Sequence, residues 1–167
     1  MMKNFLAALC GFAFWSAMSL AQAQTPAPPS APAAPTPPAE LQAGFVKSVR
    51  GNVQLLSAAG TARTAAAGDA LAVVDRIVTG PDSSASVVLR DDTTLVVGPS
   101  SRLDLKEYHF DATTHDGSIL VSLLRGSLRM ITGLIGKAHP DAIRVETQTA
   151  TIGIRGTDFI VETDGKP

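Results

Sequence analysis

Cysteine is absent from this chain beyond its N-terminal leader; Cys10 is the single thiol in 167 residues. Nothing downstream can form a disulfide or a cysteine–zinc site, so the fold must rest on packing alone. Aromatic side chains are scarce as well. With the leader and its Trp15 set aside, only Phe45, Tyr108, Phe110 and Phe159 remain, too few flat rings for a sugar-stacking platform. Excess charge of either sign is also missing: the formal charge of −1 becomes −2 when Lys3 leaves with the leader. A near-neutral surface has no basic field to draw in nucleic acid or anionic lipid, and neither is expected as a partner.

The one long apolar run belongs to the leader. Met1 to Asn4 carries a single cation, Phe5 to Leu20 is almost unbroken apolar sequence, and Ala21-Gln22-Ala23 supplies the small residues that signal peptidase accepts. Residues 1–23 therefore read as a secretory signal cleaved after Ala23, which makes the product periplasmic or secreted. A retained anchor is disfavoured, because the run is shorter than the roughly 20 apolar residues that span a bilayer and has no basic stop-transfer flank. No twin-arginine pair occurs, and Leu9 before Cys10 within a continuing apolar run argues against a lipid anchor. No membrane span is expected after cleavage. Residues 24–41 alternate proline with small residues, the composition of an extended polyproline linker. It is either a spacer reaching roughly 50 Å at about 3.1 Å per residue or a plain tail.

From Phe45 the composition becomes that of one domain, residues 45–163, with a short tail at 164–167. Three segments share one pattern of aliphatic, Arg, Gly and a small polar residue: Val49-Arg50-Gly51-Asn52, Leu124-Arg125-Gly126-Ser127 and Ile154-Arg155-Gly156-Thr157. Glycine tolerates positive φ, so each Arg-Gly is expected to make a sharp corner or bulge between short strands. Alternation marks the strands themselves. Ala85, Val87 and Leu89 form one inward set, Leu103 and Leu105 another, Ile119, Val121 and Leu123 a third, and Ile143, Val145 and Thr147 a fourth. Turn signals separate them about every ten residues, and no crossover helices intervene. The Ala-rich stretch Thr61 to Val74 is broken by Gly68 and reads as loop and short strand. Gly80-Pro81-Asp82-Ser83 is echoed by Gly98-Pro99-Ser100-Ser101. The expected fold is all-β, a single domain that is either β-solenoid-like or a twisted sandwich.

Groupings that carry chemistry do not emerge from the residue order. His109, His115 and His139 lack metal-site spacing, with His109 expected at the surface and His139-Pro140-Asp141 as a turn. Asp91-Asp92-Thr93-Thr94 reads as a hairpin turn with solvated carboxylates, not an acid/base pair. No serine lies in a nucleophile elbow, and Gly153-Ile154-Arg155-Gly156 lacks the βαβ surroundings of a dinucleotide loop. No catalytic, cofactor-binding or metal-binding residue is expected, and the protein is not expected to be an enzyme.

Two places offer partner contacts. Leu134 and Ile135 sit in a glycine-bounded segment, where they are either an exposed patch or a lid folded onto the core. Thr157 to Thr163 reads as a strand and Asp164-Gly165 as a hairpin turn, yet only Lys166 and Pro167 follow. The strand is thus either an open edge, with Phe159 and Val161 as contacts, or one covered internally.

The run of motifs resembles the FecR-type domain. It comprises Val49-Arg50-Gly51 with Val53, Gly68-Asp69 with Leu71, Asp75 with Ile77 and Thr79-Gly80, Leu95 with Val97-Gly98-Pro99 and Ser101, Leu124-Arg125-Gly126 with Leu128-Arg129, and Thr147 to Phe159 around Ile152-Gly153-Ile154-Arg155-Gly156-Thr157. The family's Asp-Gly-Thr turn has Asp92-Thr93-Thr94 as its counterpart. The resemblance implies an all-β periplasmic module in which Gly153, Arg155, Gly156 and Thr157 are structural: the glycines set backbone geometry and Arg155 braces neighbouring carbonyls. In ferric-citrate-type regulators such a module senses an occupied outer-membrane receptor and relays this to a sigma factor. That relay needs a cytoplasmic sigma-binding region and a transmembrane helix, neither of which this sequence has, so a stand-alone exported domain is expected. Two functions compete: a binding module for an envelope protein in surface or iron-linked signalling, and an assembly subunit that self-associates through an open β edge.

Overall fold

The structure is a computed structural model that describes residues 42–164. The leader at 1–23 with its cleavage point, the linker at 24–41 and residues 165–167 lie outside the described residues. Twelve strands follow one another: β1 (Gln42–Arg50), β2 (Val53–Leu56), β3 (Ala62–Thr64), β4 (Ala70–Ala72), β5 (Arg76–Thr79), β6 (Ser84–Leu89), β7 (Thr94–Val97), β8 (Arg102–Phe110), β9 (Gly117–Ile131), β10 (Ile143–Glu146), β11 (Thr151–Gly153) and β12 (Asp158–Thr163). A short helix, α1 (Leu134–Ala138), and a 3-10 turn at Pro140–Ala142 lie between β9 and β10. The all-β expectation holds, and the strands join in one sheet that curls on itself.

Long β9 makes the curl. Its first half pairs with β8 and β10, and its second half pairs with β7 and β12. One lobe therefore runs β4-β1-β6-β7-β9-β12, the other β3-β2-β5-β8-β9-β10-β11. Among the described residues only the β9–β10 pairing is parallel. The lobes also mirror each other's connections: β1 turns at Arg50-Gly51 into β2, as the first half of β9 turns at Arg125-Gly126 into its second half.

Each corner is locked to one of the two Gly-Pro turns. At the first, the Asn52 N–H donates to Ser83 Oγ at 2.9 Å and the Gly80 N–H donates to the Asn52 carbonyl at 2.9 Å. At the second, the Ser127 N–H donates to Ser101 Oγ at 2.9 Å and the Gly98 N–H donates to the Ser127 carbonyl at 2.9 Å. The serine hydroxyls then donate back to Pro81 and Pro99, at 3.1 and 3.0 Å. Thr79 ties the turns together: its hydroxyl donates to the Gly98 carbonyl at 2.6 Å and accepts the Ser101 N–H at 2.8 Å. The corner glycines have φ of +73° at Gly51 and +91° at Gly126, and a Cβ on either would collide with the docked serine. Both the handedness and the close approach require glycine there.

The third Arg-Gly differs. Gly153 and Gly156 fall outside the positive-φ glycines, and a Cβ at either would meet nothing within 4 Å. The expectation that these two glycines set a corner by their backbone freedom is corrected: no Gly-Pro-x-Ser turn docks here. Arg155 braces no carbonyl either; its Nε donates to Asp141 Oδ1 at 3.1 Å on the surface. Of the three Arg-Gly arginines, Arg125 is the one that braces a carbonyl, its Nε donating to Ser100 O at 3.0 Å.

The core lies inside the curl, filled by the inward residues of both lobes, among them Leu55, Leu95, Leu103, Leu123, Leu128 and Met130, all at most 1% exposed. Burying each such side chain contributes about 1.5–3 kcal/mol. Asp75 at the lip of this core is buried, its carboxylate accepting the Ala72 N–H at 2.9 Å. Burial raises its pKa above the ordinary aspartate value, only partly offset by that hydrogen bond. The folded state therefore holds the Asp75 proton more tightly than the unfolded chain, and stability falls as pH rises from the unfolded value through the folded one. Asp75→Asn is expected to raise the melting temperature at pH 7, well above the unfolded aspartate value, where folding must either bury the charge or neutralise it. The gain should vanish near pH 3, where both forms are neutral; thermal unfolding at the two pH values checks this.

Candidate functional site

Two places gather the polar and exposed residues that the core leaves over: a buried turn and a bare strand edge. The turn joins β6 to β7. The expected solvated carboxylate at Asp91 is corrected: Asp91 and Thr93 are fully buried. Thr93 donates to Asp91 twice, from its hydroxyl at 2.6 Å and its N–H at 3.3 Å. The Asp91 N–H donates to Tyr108 Oη at 3.1 Å, and the Tyr108 hydroxyl reaches Asp91 Oδ1 at 3.4 Å. Burial first, then the neighbouring Asp91 charge, push the Tyr108 pKa well above the ordinary tyrosine value, so the hydroxyl stays protonated and can donate. Asp92 takes φ +65° between Asp91 and Thr93. That is the left-handed conformation that ordinarily favours glycine.

This turn anchors the segment after β9. The Gly133 N–H donates to Thr93 Oγ1 at 2.9 Å and the Leu134 N–H donates to Asp91 O at 2.7 Å. Ile135 is consequently 0% exposed, and Leu134 is half-buried on α1. Of the two readings for Leu134 and Ile135, the lid holds and the exposed patch does not, and the expected loop is a short helix. Outside it the His139 side chain pairs with Asp116 at 2.5 Å, His115 stacks on Phe110 and His109 is exposed.

The bare edge is β12. It pairs with β9 from Asp158↔Ile131 to Thr163↔Gly126 without a bulge, and with no second strand among the described residues. Thr157 leads into it, its carbonyl accepting the Thr132 N–H at 2.9 Å, while the Gly156 carbonyl accepts the Thr132 hydroxyl at 3.2 Å. The other edge strands, β3, β4 and β11, are three residues each; β12 is six. In an antiparallel ladder an edge strand turns half of its N–H and C=O groups outward, so β12 offers the longest row of unpaired groups among these edges.

Alternation sorts the side chains of β12. Phe159 and Val161 point inward against the core, so they are corrected from partner contacts to packing residues. Asp158, Ile160 and Glu162 point outward. Ile160 is 64% exposed, and with Ile131 at 38% and Phe45 at 45% it belongs to one outer face. Cross-strand registers link them: Phe45 opposes Val88, Val88 opposes Thr94, Thr94 opposes Ile131, and Ile160 lies across from Arg129, itself opposite Val96. Arg129 holds Asp158 with two hydrogen bonds, 3.0 and 2.6 Å. These bonds, and then the guanidinium charge, lower the Asp158 pKa, so the pair stays ionised. Sequence reasoning found the edge but missed Ile160 and Ile131.

Fold and edge together define a small all-β module whose mixed outer face carries exposed Phe45, Ile131 and Ile160 and ends at an edge strand with no second partner among the described residues. The family model described as FecR protein matches residues 75–167, more than half of the chain, and the chain belongs to that family. No curated protein matches it. A solved structure described as a cell surface anchoring domain is similar at 27% identity, over 38% of this chain and 83% of its own, with a TM-score of 0.37. Among the described residues no helix is long and apolar enough to cross a membrane.

Proposed function

We propose that this FecR-family chain is an exported, non-enzymatic module of the cell envelope that binds another envelope protein, in surface or iron-linked signalling. The observation that carries the reading is the β12 edge, a six-residue strand with half of its backbone groups turned outward and no partner strand there among the described residues, flanked by the exposed side chains of Ile160 and Ile131. An edge of this kind invites a strand from another chain, and the apolar side chains beside it supply contact area. Family membership supports the envelope setting, and the secretory leader read from the sequence supports export.

The same edge would serve a self-associating assembly subunit, and concentration separates the two readings. Sedimentation of the mature chain is expected to give one species across a hundredfold range of concentration. Growth of larger species with concentration would favour assembly instead. Export is tested separately: the periplasmic fraction is expected to hold a chain that begins at Gln24, and full-length chain in the cytosol would contradict it.

A further inference from the structure

We infer that the β12 edge accepts an extended segment of a different protein in which basic and apolar residues alternate, and that it is built against pairing with its own copy. This rests on the binding role proposed above and names its partner's chemistry. The outward residues of β12 are acid, apolar, acid: Asp158, Ile160 and Glu162. No face-matched register near the centre of the strand sets a cationic residue of a second β12 against Glu162, because β12 carries none. An antiparallel two-fold centred on Ile160 sets Asp158 against Glu162 twice. Centred on Val161 it sets Ile160 against Glu162 twice, and centred on Phe159 it sets Ile160 against Asp158 twice. In-register parallel pairing sets each acid against itself. Like charges directly opposed on neighbouring strands are unfavourable, as is a carboxylate held against an exposed isoleucine.

A foreign strand with a cation, an apolar residue and a cation on one face answers all three positions. Its apolar residue covers Ile160, and one cation meets Glu162, which forms no salt bridge among the described residues. The other joins the Asp158–Arg129 pair, which remains exposed at its rim. The chain's own residues 24–41 cannot supply such a strand. They contain no lysine or arginine, and their prolines lack the N–H a ladder needs.

The test titrates the mature chain with two acetylated, amidated heptapeptides, TKTVTKT and TETVTET, followed by amide NMR shifts. The basic peptide is expected to perturb β12 and the adjoining part of β9, at least about tenfold more tightly than the acidic one. Glu162→Lys should weaken it about tenfold, and Ile160→Lys should abolish it, with both variants melting as wild type does because the two side chains are exposed. Equal response to the two peptides, shifts centred elsewhere, or insensitivity to both substitutions overturns the inference. So does a concentration-dependent dimer that Ile160→Lys dissolves, since a second copy would then be the occupant. A photo-crosslinker introduced in cells at position 160 or position 45 separates this inference from the binding role. Capture of a partner from 45 but not from 160 sinks strand addition alone, and capture from neither sinks both.

Discussion

Gly126→Ala is expected to lower unfolding stability by about 3 kcal/mol. Two causes add. An alanine held near φ +91° bears the left-handed cost of about 1–2 kcal/mol. Its Cβ would also lie 2.6 Å from Ser101 Cα and overlap the Ser101 hydroxyl, and overpacking of that kind typically costs about 1–3 kcal/mol. The backbone contact matters for the control, because trimming Ser101 to alanine removes the hydroxyl but leaves its Cα in place. Gly156→Ala provides the comparison, since it adds the same methyl group to the same Arg-Gly dipeptide in open space. Its effect should stay within about 0.5 kcal/mol. Urea unfolding of the two variants beside wild type measures the difference, and equal losses would contradict the docked-corner account.

Asp91→Ala is expected to cost a similar amount, about 3 kcal/mol. The substitution leaves the Thr93 N–H and hydroxyl, both buried, without their acceptor, and each buried unsatisfied donor costs about 1–3 kcal/mol. It also removes the acceptor facing the Tyr108 hydroxyl. Because Thr93 and Asp91 together hold Gly133 and Leu134, α1 should loosen before the sheet does. Amide exchange is the sensitive readout: Ile135 and His139, whose N–H donates to the Ile135 carbonyl at 2.7 Å, should lose protection more than Leu128 in β9. Asp91→Asn keeps an acceptor for Thr93 and should cost clearly less. Uniform loosening of the whole domain would mean the turn does not anchor α1 separately.

How much of this was legible in the residue order depends on the range of the interactions. Alternation is local, so the inward faces of β6, β8, β9 and β10 could be read directly from Val87, Leu103, Val121 and Val145. The echo of Gly-Pro-x-Ser was equally visible. Its role was not, because Ser83 meets Asn52 across 31 residues and Ser101 meets Ser127 across 26. Only the curl of the sheet brings them together. The three Arg-Gly pairs look alike in letters, yet only two have a serine turn to dock against. Gly51 and Gly126 take positive φ against those turns, and Gly153 and Gly156 do not.

The candidate site shows the same limit. Two adjacent aspartates before two threonines are ordinarily a wet turn. Asp91 is instead dry because Tyr108, 17 residues on, and the start of α1 close over it. In β12 the period of two was plain, but a strand with Phe159 and Val161 on one face and Ile160 on the other has two apolar choices. Pairing with Met130 and Leu128 turns the first pair inward and leaves Ile160 outside.

The central claim is that β12 stands as an unpaired edge, and amide exchange resolved to single residues tests it in the mature chain on its own. From Asp158 to Thr163 the amides should alternate, those turned toward β9 protected and those turned outward exchanging nearly as fast as in a free peptide. The interior β7, paired on both sides, should be protected throughout. Protection at every amide of β12 in a monomeric sample would show that the edge is already covered, and would contradict the account.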